Sequence, residues 1–365
     1  MMKYFGFSLT AMILVFAGLY LYTGSALFLY QAITLTIVEV AVSFDNAVVN
    51  AAKLNSMNAF WKKMFLTVGI LVAVGFMRFY MPLEIVATID GISLVEAYNI
   101  AISDQDRFSA ILTAAHVPVA GFGGAFLMMV AFNYFADREK ETHWIGIIEK
   151  PMQAVAIPNP EENFWLSVLR LVVMSGWVWG VASGLAWATG VVEFAKFNQA
   201  VLVGLASYWG VHALKEGMSK LDDRLANSKV SWLAGGFGTF VYLEVLDASF
   251  SFDGVIAAFA ISKNIFVVAA GLGIGALFVR SMTIMLVERG TLTEYKYLEN
   301  GAMLAILALA LVMFISSGMH VPEWVTATVS VLLIGGAFWH SKLEKDAEES
   351  RKEVGSAILR AFRRG

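Results

Sequence analysis

The chain has 365 residues, of which 58% are hydrophobic and 15% charged, and a mean hydropathy of +0.69; that balance places its bulk in lipid and excludes an ordinary soluble domain. It contains no cysteine, so disulfides, thiolate metal sites and cysteine nucleophiles are excluded as well. A net charge of −3 offers no nucleic-acid footprint, and in a membrane protein the placement of Lys and Arg says more than their total.

A hydrocarbon core about 30 Å thick takes roughly 20 apolar residues per helix. Stretches of that kind fall near 5–24, 27–52, 62–85, 114–136, 164–190, 195–214, 232–262, 264–288, 297–318 and 322–340, which predicts an all-α, polytopic transmembrane bundle of about ten helices. The first stretch follows a single Lys3 and lacks a small-residue cleavage pattern, so it reads as a retained span. Turn-like or polar breaks stand at Thr23-Gly24-Ser25, Asn55 to Asn58, Asp137 to Asn163, Lys215 to Lys229 and Gly318 to Pro322, while Lys263-Asn264 alone divides the seventh and eighth stretches. Residues 87–113 mix Asp90, Glu96, Asp104, Asp106 and Arg107 with apolar residues, as an external amphipathic or re-entrant piece or a plain loop would. Residues 1–340 thus form the transmembrane domain, and 341–365, rich in Lys, Glu and Arg, a cytoplasmic tail that reads as a solvated helix.

Counting the connections alternately, one side collects Lys3, Lys53, Lys62, Lys63, Arg138, Lys140, Lys150, Lys215, Lys220, Arg224, Lys229, Arg289, Lys296 and the tail, and the other only Arg107, Lys196 and Lys263. Basic connections stay inside, so both termini are expected in the cytoplasm.

The chain also repeats itself. Glu39-Val-Ala-Val-Ser43-Phe44-Asp45-Asn46 aligns with Asp247-Ala-Ser-Phe-Ser251-Phe252-Asp253-Gly254, and farther on the stretch from Gly69 to Arg78 aligns with that from Gly271 to Arg280. The repeats cover about 27–136 and 232–340, and the alternating count makes their motif helices antiparallel. Inverted repeats of this kind build many secondary transporters, with the substrate site near the midplane where the repeats meet.

Ionisable side chains inside a span cost about 2.5–3.5 kcal/mol on insertion scales and mark pathways or sites. The second stretch carries Glu39 and Asp45, the seventh Glu244, Asp247 and Asp253. On a straight helix Glu39, Ser43, Asn46 and Asn50 make one polar stripe, and Glu244, Asp247 and Ser251 its counterpart. Asp45 and Asp253 lie off those stripes and join only if the helices bend, which Gly254 would permit, or else each holds Arg78 or Arg280 on a neighbouring helix. Those arginines either snorkel to an interface or act as buried counter-charges to the acids. An oxygen-rich set without cysteine suits Mn²⁺, Ca²⁺ or Mg²⁺ as a transported ion. The expected metal-binding residues are therefore Glu39, Asp45, Asn46, Glu244, Asp247 and Asp253, supported by Ser43, Asn50, Ser251, Arg78 and Arg280. His116, before Pro118 at an outer face, is either a pathway ligand or a structural histidine. The Gly121, Gly123, Gly124 cluster reads as close helix packing.

At Glu39 to Val49, Glu244 to Ile261, Phe278-Val-Arg280, His116 to Met129 and Tyr297-Leu-Glu299 the chain resembles the TerC family of integral membrane proteins, named for tellurium resistance, and within it a branch described as a domain of unknown function. The likeness runs over roughly residues 27–340. It implies membership of the broader LysE-type exporter superfamily, a bacterial inner-membrane location and efflux of a divalent metal, Mn²⁺ foremost, with Asp45, Asn46 and Asp253 at the family's acidic positions. Gly254 stands where relatives carry Ser, and Asn300 where His is expected. The expected function is a secondary transporter exporting a divalent cation, in exchange for protons, with no enzymatic activity and no resident cofactor. A non-transporting component of metal or tellurite resistance and an intramembrane aspartyl protease are the other readings of two facing acidic helices.

Overall fold

The computed structural model describes residues 2–54, 57–137, 140–155, 164–225 and 236–362, and among them every regular element is a helix. In chain order these are α1 (Met2–Thr23), α2 (Ala26–Val42), α3 (Phe44–Leu54), α4 (Ala59–Leu71), a π-helical segment (Val72–Tyr80), α5 (Met81–Asp90), α6 (Leu94–Ser103), α7 (Gln105–Ala114), α8 (His116–Phe135), α9 (Gly146–Val155), α10 (Phe164–Ala188), α11 (Phe194–Leu225), α12 (Phe237–Ile261), α13 (Ile265–Glu288), α14 (Thr291–Glu294), α15 (Leu298–Ser316) and α16 (Glu323–Phe362).

Each of the ten apolar stretches contains a helix, but fewer pass as spans on length and hydropathy. Seven do among the described residues, and the α2–α3 pair, bent by 52°, makes up to eight. Neither α11 nor α12 is among them. For α12 the physical reason is visible in the sequence, since Glu244, Asp247 and Asp253 sit in its middle. The breaks follow local chemistry. Gly24 takes φ +63°, a left-handed conformation open to glycine, and Ser25 then caps α2 by accepting from the Phe28 N–H. Asn264 caps α13 from the N–H groups of Phe266 and Val267, so the short connection at Lys263-Asn264 is a true boundary.

Three expectations change. The segment 87–113 is the end of α5 followed by two short capped helices, with a Ser93–Glu96 capping box opening α6 and Asp104 capping α7. The helix of the sixth stretch does not stop at 214 but runs on to Leu225 as α11. The tail is helical, as the solvated-helix reading expects, but it continues α16 without a break from the last span to Phe362, and Glu344 accepts from Tyr297 Oη at 2.6 Å, which ties it to the start of α15.

The middle of the bundle is α8, α13 and α15, each well over half buried, whereas α1, α10 and α16 turn most of their surface outward to lipid. Close crossings need small residues. A β-carbon on Gly271 would stand 2.6 Å from Leu35 Cβ, and one on Gly275 2.5 Å from Glu39 Cβ, so these two glycines let α13 lie directly along α2. Gly121 and Gly124 similarly admit Phe197 and Phe314.

The apolar interior divides into two clusters, one running through Ala47, Phe65, Leu243, Leu246 and Val279, the other through Leu35, Leu83, Val255, Ile256 and Ile274. On four helical stretches that contribute to both, the change of cluster falls at a gap beside polar side chains, whereas α8 changes directly between Val117 and Val119. On α2–α3 the gap holds Glu39 and Asp45, on the π segment Arg78, on α12 Asp247 and Ser251, and on α13 it ends beside Arg280. A polar layer thus separates two apolar cores.

Candidate functional site

In the first half of this layer the backbone is irregular. Ser43, at φ −91° and ψ 19°, ends α2, and α3 starts in a new direction. The bend rotates Asp45 inward, where it sits in the first turn of α3 at 1% exposure, with one carboxylate oxygen accepting from the Asn46 N–H at 2.8 Å. A carboxylate in the first turn of a helix gains from the partial positive charge there. Ser330 of α16 lies against the same carboxyl, and Oδ2 has no hydrogen-bond partner among the described residues. Glu39 receives Arg78 Nη2 at 2.6 Å, both side chains buried, while Arg78 Nη1 donates to the Ala73 carbonyl inside the π segment. Segments of π-helix concentrate at functional sites and re-aim side chains. Arg78 therefore pairs with Glu39 and not with Asp45, and neither it nor Arg280 snorkels, at 3% and 5% exposure.

The second half is regular. Helix α12 passes through Ser251-Phe252-Asp253 without a break, so Gly254 is not a hinge. Instead its missing side chain faces Glu39, whose Oε2 would lie 3.6 Å from an added β-carbon. Asp247 is buried and accepts from Asn46 Nδ2, which joins the two polar stripes directly. Ser251 donates back to the Asp247 carbonyl at 2.7 Å. Arg280 faces Asp247 and Glu244 but stacks its guanidinium 3.8 Å over the Phe65 ring. Its Nη1 and Nη2 and both oxygens of Glu244 have no hydrogen-bond partner among the described residues, nor have Asn46 Oδ1 and Asn50 Oδ1. The side chain of Asp253 lies outside the described residues.

Buried polar atoms without partners are rare, because each costs its desolvation. Here five acceptor oxygens, on Asn46, Asn50, Glu244 and Asp45, share one layer with unpaired guanidinium nitrogens. A cavity of about 40 Å³ opens between Glu39, Ser43, Asp45 and Gly254, with Thr326 at its edge. That is room for about three water-sized spheres at ~10–15 Å³ each. No three His, Asp or Glu side chains converge at metal-binding distance among the described residues. A cation held here would have to draw on Asn amides, hydroxyls, backbone carbonyls or water besides carboxylates.

A second cavity of about 630 Å³ lies at one end of the bundle, between the α7–α8, α10–α11 and α15–α16 connections. His116 stands in its wall, with Nε2 3.5 Å from Ser316 Oγ, and His320 and Glu193 line it too. His116 is thus part of this vestibule and not of the buried layer.

Two groups of polar residues escape the repeat pattern. Thr326 and Ser330, one turn apart on α16, face the acidic cavity and Asp45; their i, i+4 spacing, which sets them on one face apart from the exposed Thr328, is the signal for them. The other group is a knot at the opposite end. Glu149 of α9 is fully buried, accepts from the Trp144 and Ile145 N–H groups at 3.0 and 2.9 Å and from Asn300 Nδ2 at 2.8 Å, and is ion-paired with Lys140. Burial alone would raise the Glu149 pKa; the Lys140 hydrogen bond, the backbone donors and the Lys140 charge reverse this and hold it below the ordinary value. Asn300, at the position where His is expected, is bound into this knot, also accepting from Tyr134 Oη at 3.1 Å.

A helical chain with this many apolar spans around a buried polar layer is a multi-pass membrane protein. The family described as "Protein of unknown function (DUF475)" matches residues 44–348, and the chain belongs to it. A stretch of 90 residues, 23% of this chain and 34% of the other, is 36% identical to the uncharacterized membrane protein YceF of Bacillus subtilis strain 168. One of 86 residues, 21% of this chain and 25% of the other, is 28% identical to the minor capsid protein VP2 of JC polyomavirus. The chain therefore spans between a quarter and about a third of the length of these curated relatives. No solved structure matches.

Proposed function

We propose that this protein is a secondary transporter of the bacterial inner membrane that exports a divalent cation, Mn²⁺ foremost, in exchange for protons, and that it is a TerC-like member of the LysE-type exporters. The observation that carries this reading is the set of buried, unpartnered acceptor oxygens on Asp45, Asn46, Asn50 and Glu244 between two apolar cores. Acceptors without donors in a low-dielectric layer are what a cation satisfies, and they are costly to keep without that use. Glu39, Asp247 and Asp253 complete the proposed ligand set, and Arg78 and Arg280 offset part of its negative charge when no cation is bound.

The choice of ion follows from hard oxygen donors and from size. Mg²⁺ gives up its water reluctantly and prefers sites that leave it several waters. A cavity of about 40 Å³ favours a cation that dehydrates more readily. Carboxylates that bind either a proton or a metal ion couple the two flows without further machinery. Inside-out vesicles bearing the wild-type chain should accumulate Mn²⁺, and those bearing Asp45→Asn or Asp253→Asn should not; equal accumulation in all three defeats the site assignment.

A further inference from the structure

We propose that the polar layer is reached from the outer face of the bundle through a throat between Ala257 of α12 and Thr326 of α16, and that the segment 87–113 and its neighbouring turns form an acidic rim that gathers cations there. The cargo rests on the cation reading above; the route itself does not.

Ala257 and Thr326 line both the 40 Å³ cavity and the 630 Å³ vestibule, so one wall separates the two spaces and belongs to each. From mouth to floor the polar groups run from His320 and His116 to Thr326 and end at Asp45 with Ser330 beside it. The vestibule and the Glu149 knot lie at opposite ends of α15: Ser316 lines the former and Asn300 belongs to the latter. Nineteen residues separate these ends of the helix, about 28 Å at 1.5 Å per residue, the thickness of a hydrocarbon core.

The electrostatics of the vestibule end favour cations. Its three basic residues are each matched by an acid: Arg107 with Asp90 at 2.9 Å, Lys196 with Glu193 at 2.6 Å, and Lys263 with Asp106. Glu96 and Asp104, which cap α6 and α7, remain as excess negative charge. These exposed pairs add little to stability, but a rim whose described residues leave no Lys or Arg unmatched and leave Glu96 and Asp104 in surplus raises the local concentration of cations. By the distribution of Lys and Arg this end is the one away from the cytoplasm.

The absence of native cysteine makes a direct test possible. Thr326→Cys and, on a different helix, Ala257→Cys are treated with a membrane-impermeant thiol reagent in sealed vesicles of each orientation, alongside His320→Cys at the mouth and Lys342→Cys at the far end. Both throat variants are expected to react at least tenfold faster from the face that modifies His320→Cys than from the face that modifies Lys342→Cys. Reaction from the Lys342→Cys face, or no reaction in vesicles by thiols that do react after denaturation, overturns the route. Mn²⁺ is expected to slow modification of Thr326→Cys severalfold. Side-specific reaction that Mn²⁺ leaves unchanged would keep the route and overturn the cation cargo.

Discussion

The two repeats each set acids against one arginine, two acids with Arg78 in the first and three with Arg280 in the second, in two different states. In the first, α2–α3 is broken by 52°, the neighbouring helix is π-helical over Val72–Tyr80, and Glu39 is bonded to Arg78. In the second, α12 and α13 run without a break, and the oxygens of Glu244 and the terminal nitrogens of Arg280 have no hydrogen-bond partners among the described residues. An acid and an arginine in direct contact largely cancel in a low-dielectric interior, whereas an acid facing an arginine without contact retains most of its desolvation cost. The difference therefore separates an acid already neutralised by its arginine, Glu39, from acids that gain by taking up a cation, Glu244 and Asp45. Irregular backbone supplies the first state, since the break at Ser43 is what turns Asp45 inward and the π turn is what aims Arg78.

The largest effect should come from removing an arginine. Arg78→Met leaves Glu39 buried and uncompensated and should cost about 3–5 kcal/mol, whereas Arg280→Met, which breaks no direct ion pair among the described residues, should cost clearly less. Chemical unfolding of both variants in detergent micelles checks this, and equal losses would erase the distinction between the halves. Packing gives a smaller effect of about 1–3 kcal/mol. Gly275→Val drives its side chain into Glu39 Cβ, so it should lower the melting temperature and disturb the Glu39–Arg78 pair, while Gly254→Ala, whose β-carbon meets Glu39 Oε2 at an ordinary 3.6 Å, should leave stability near wild type. The smallest effect concerns the knot around Glu149, which lies outside both halves. Its pKa is lowered on folding, so its contribution is fully present above the ordinary glutamate value of 4.5 and fades as pH falls through the lower folded value. Melting temperature should fall with acidification below about 4.5 in the wild type and change less in Glu149→Gln; parallel pH profiles would remove Glu149 from that account.

Much of this architecture is legible from the residues. Helices stand at all ten apolar stretches because runs of about 20 apolar residues have few other structures open to them, and the pairing of Asn46 with Asp247 follows from the two polar stripes. A bend in either motif helix was one of two ways for Asp45 and Asp253 to join the stripes, and Gly254 would have permitted it on α12, yet the bend falls at Ser43, between α2 and α3. Arg78 reaches Glu39 because that bend turns Asp45 away from the line of α2, and a straight-helix projection cannot anticipate it. Glu149 was hidden for a different reason: the connection after α8 reads as a polar loop, and loops ordinarily run over the surface. Thr326 and Ser330 fall outside the aligned motifs, so only their spacing on α16 points to them.

The comparison between halves is tested most directly by Mn²⁺ binding to the purified protein, followed by electron paramagnetic resonance of the free ion, in wild type, Glu244→Gln and Glu39→Gln. The account predicts saturable binding in the wild type and a loss of at least about tenfold in affinity, ~1.4 kcal/mol, on Glu244→Gln, with a smaller loss on Glu39→Gln because that carboxylate is already engaged by Arg78. Binding unchanged by Glu244→Gln, or no binding to the wild type at all, would contradict it.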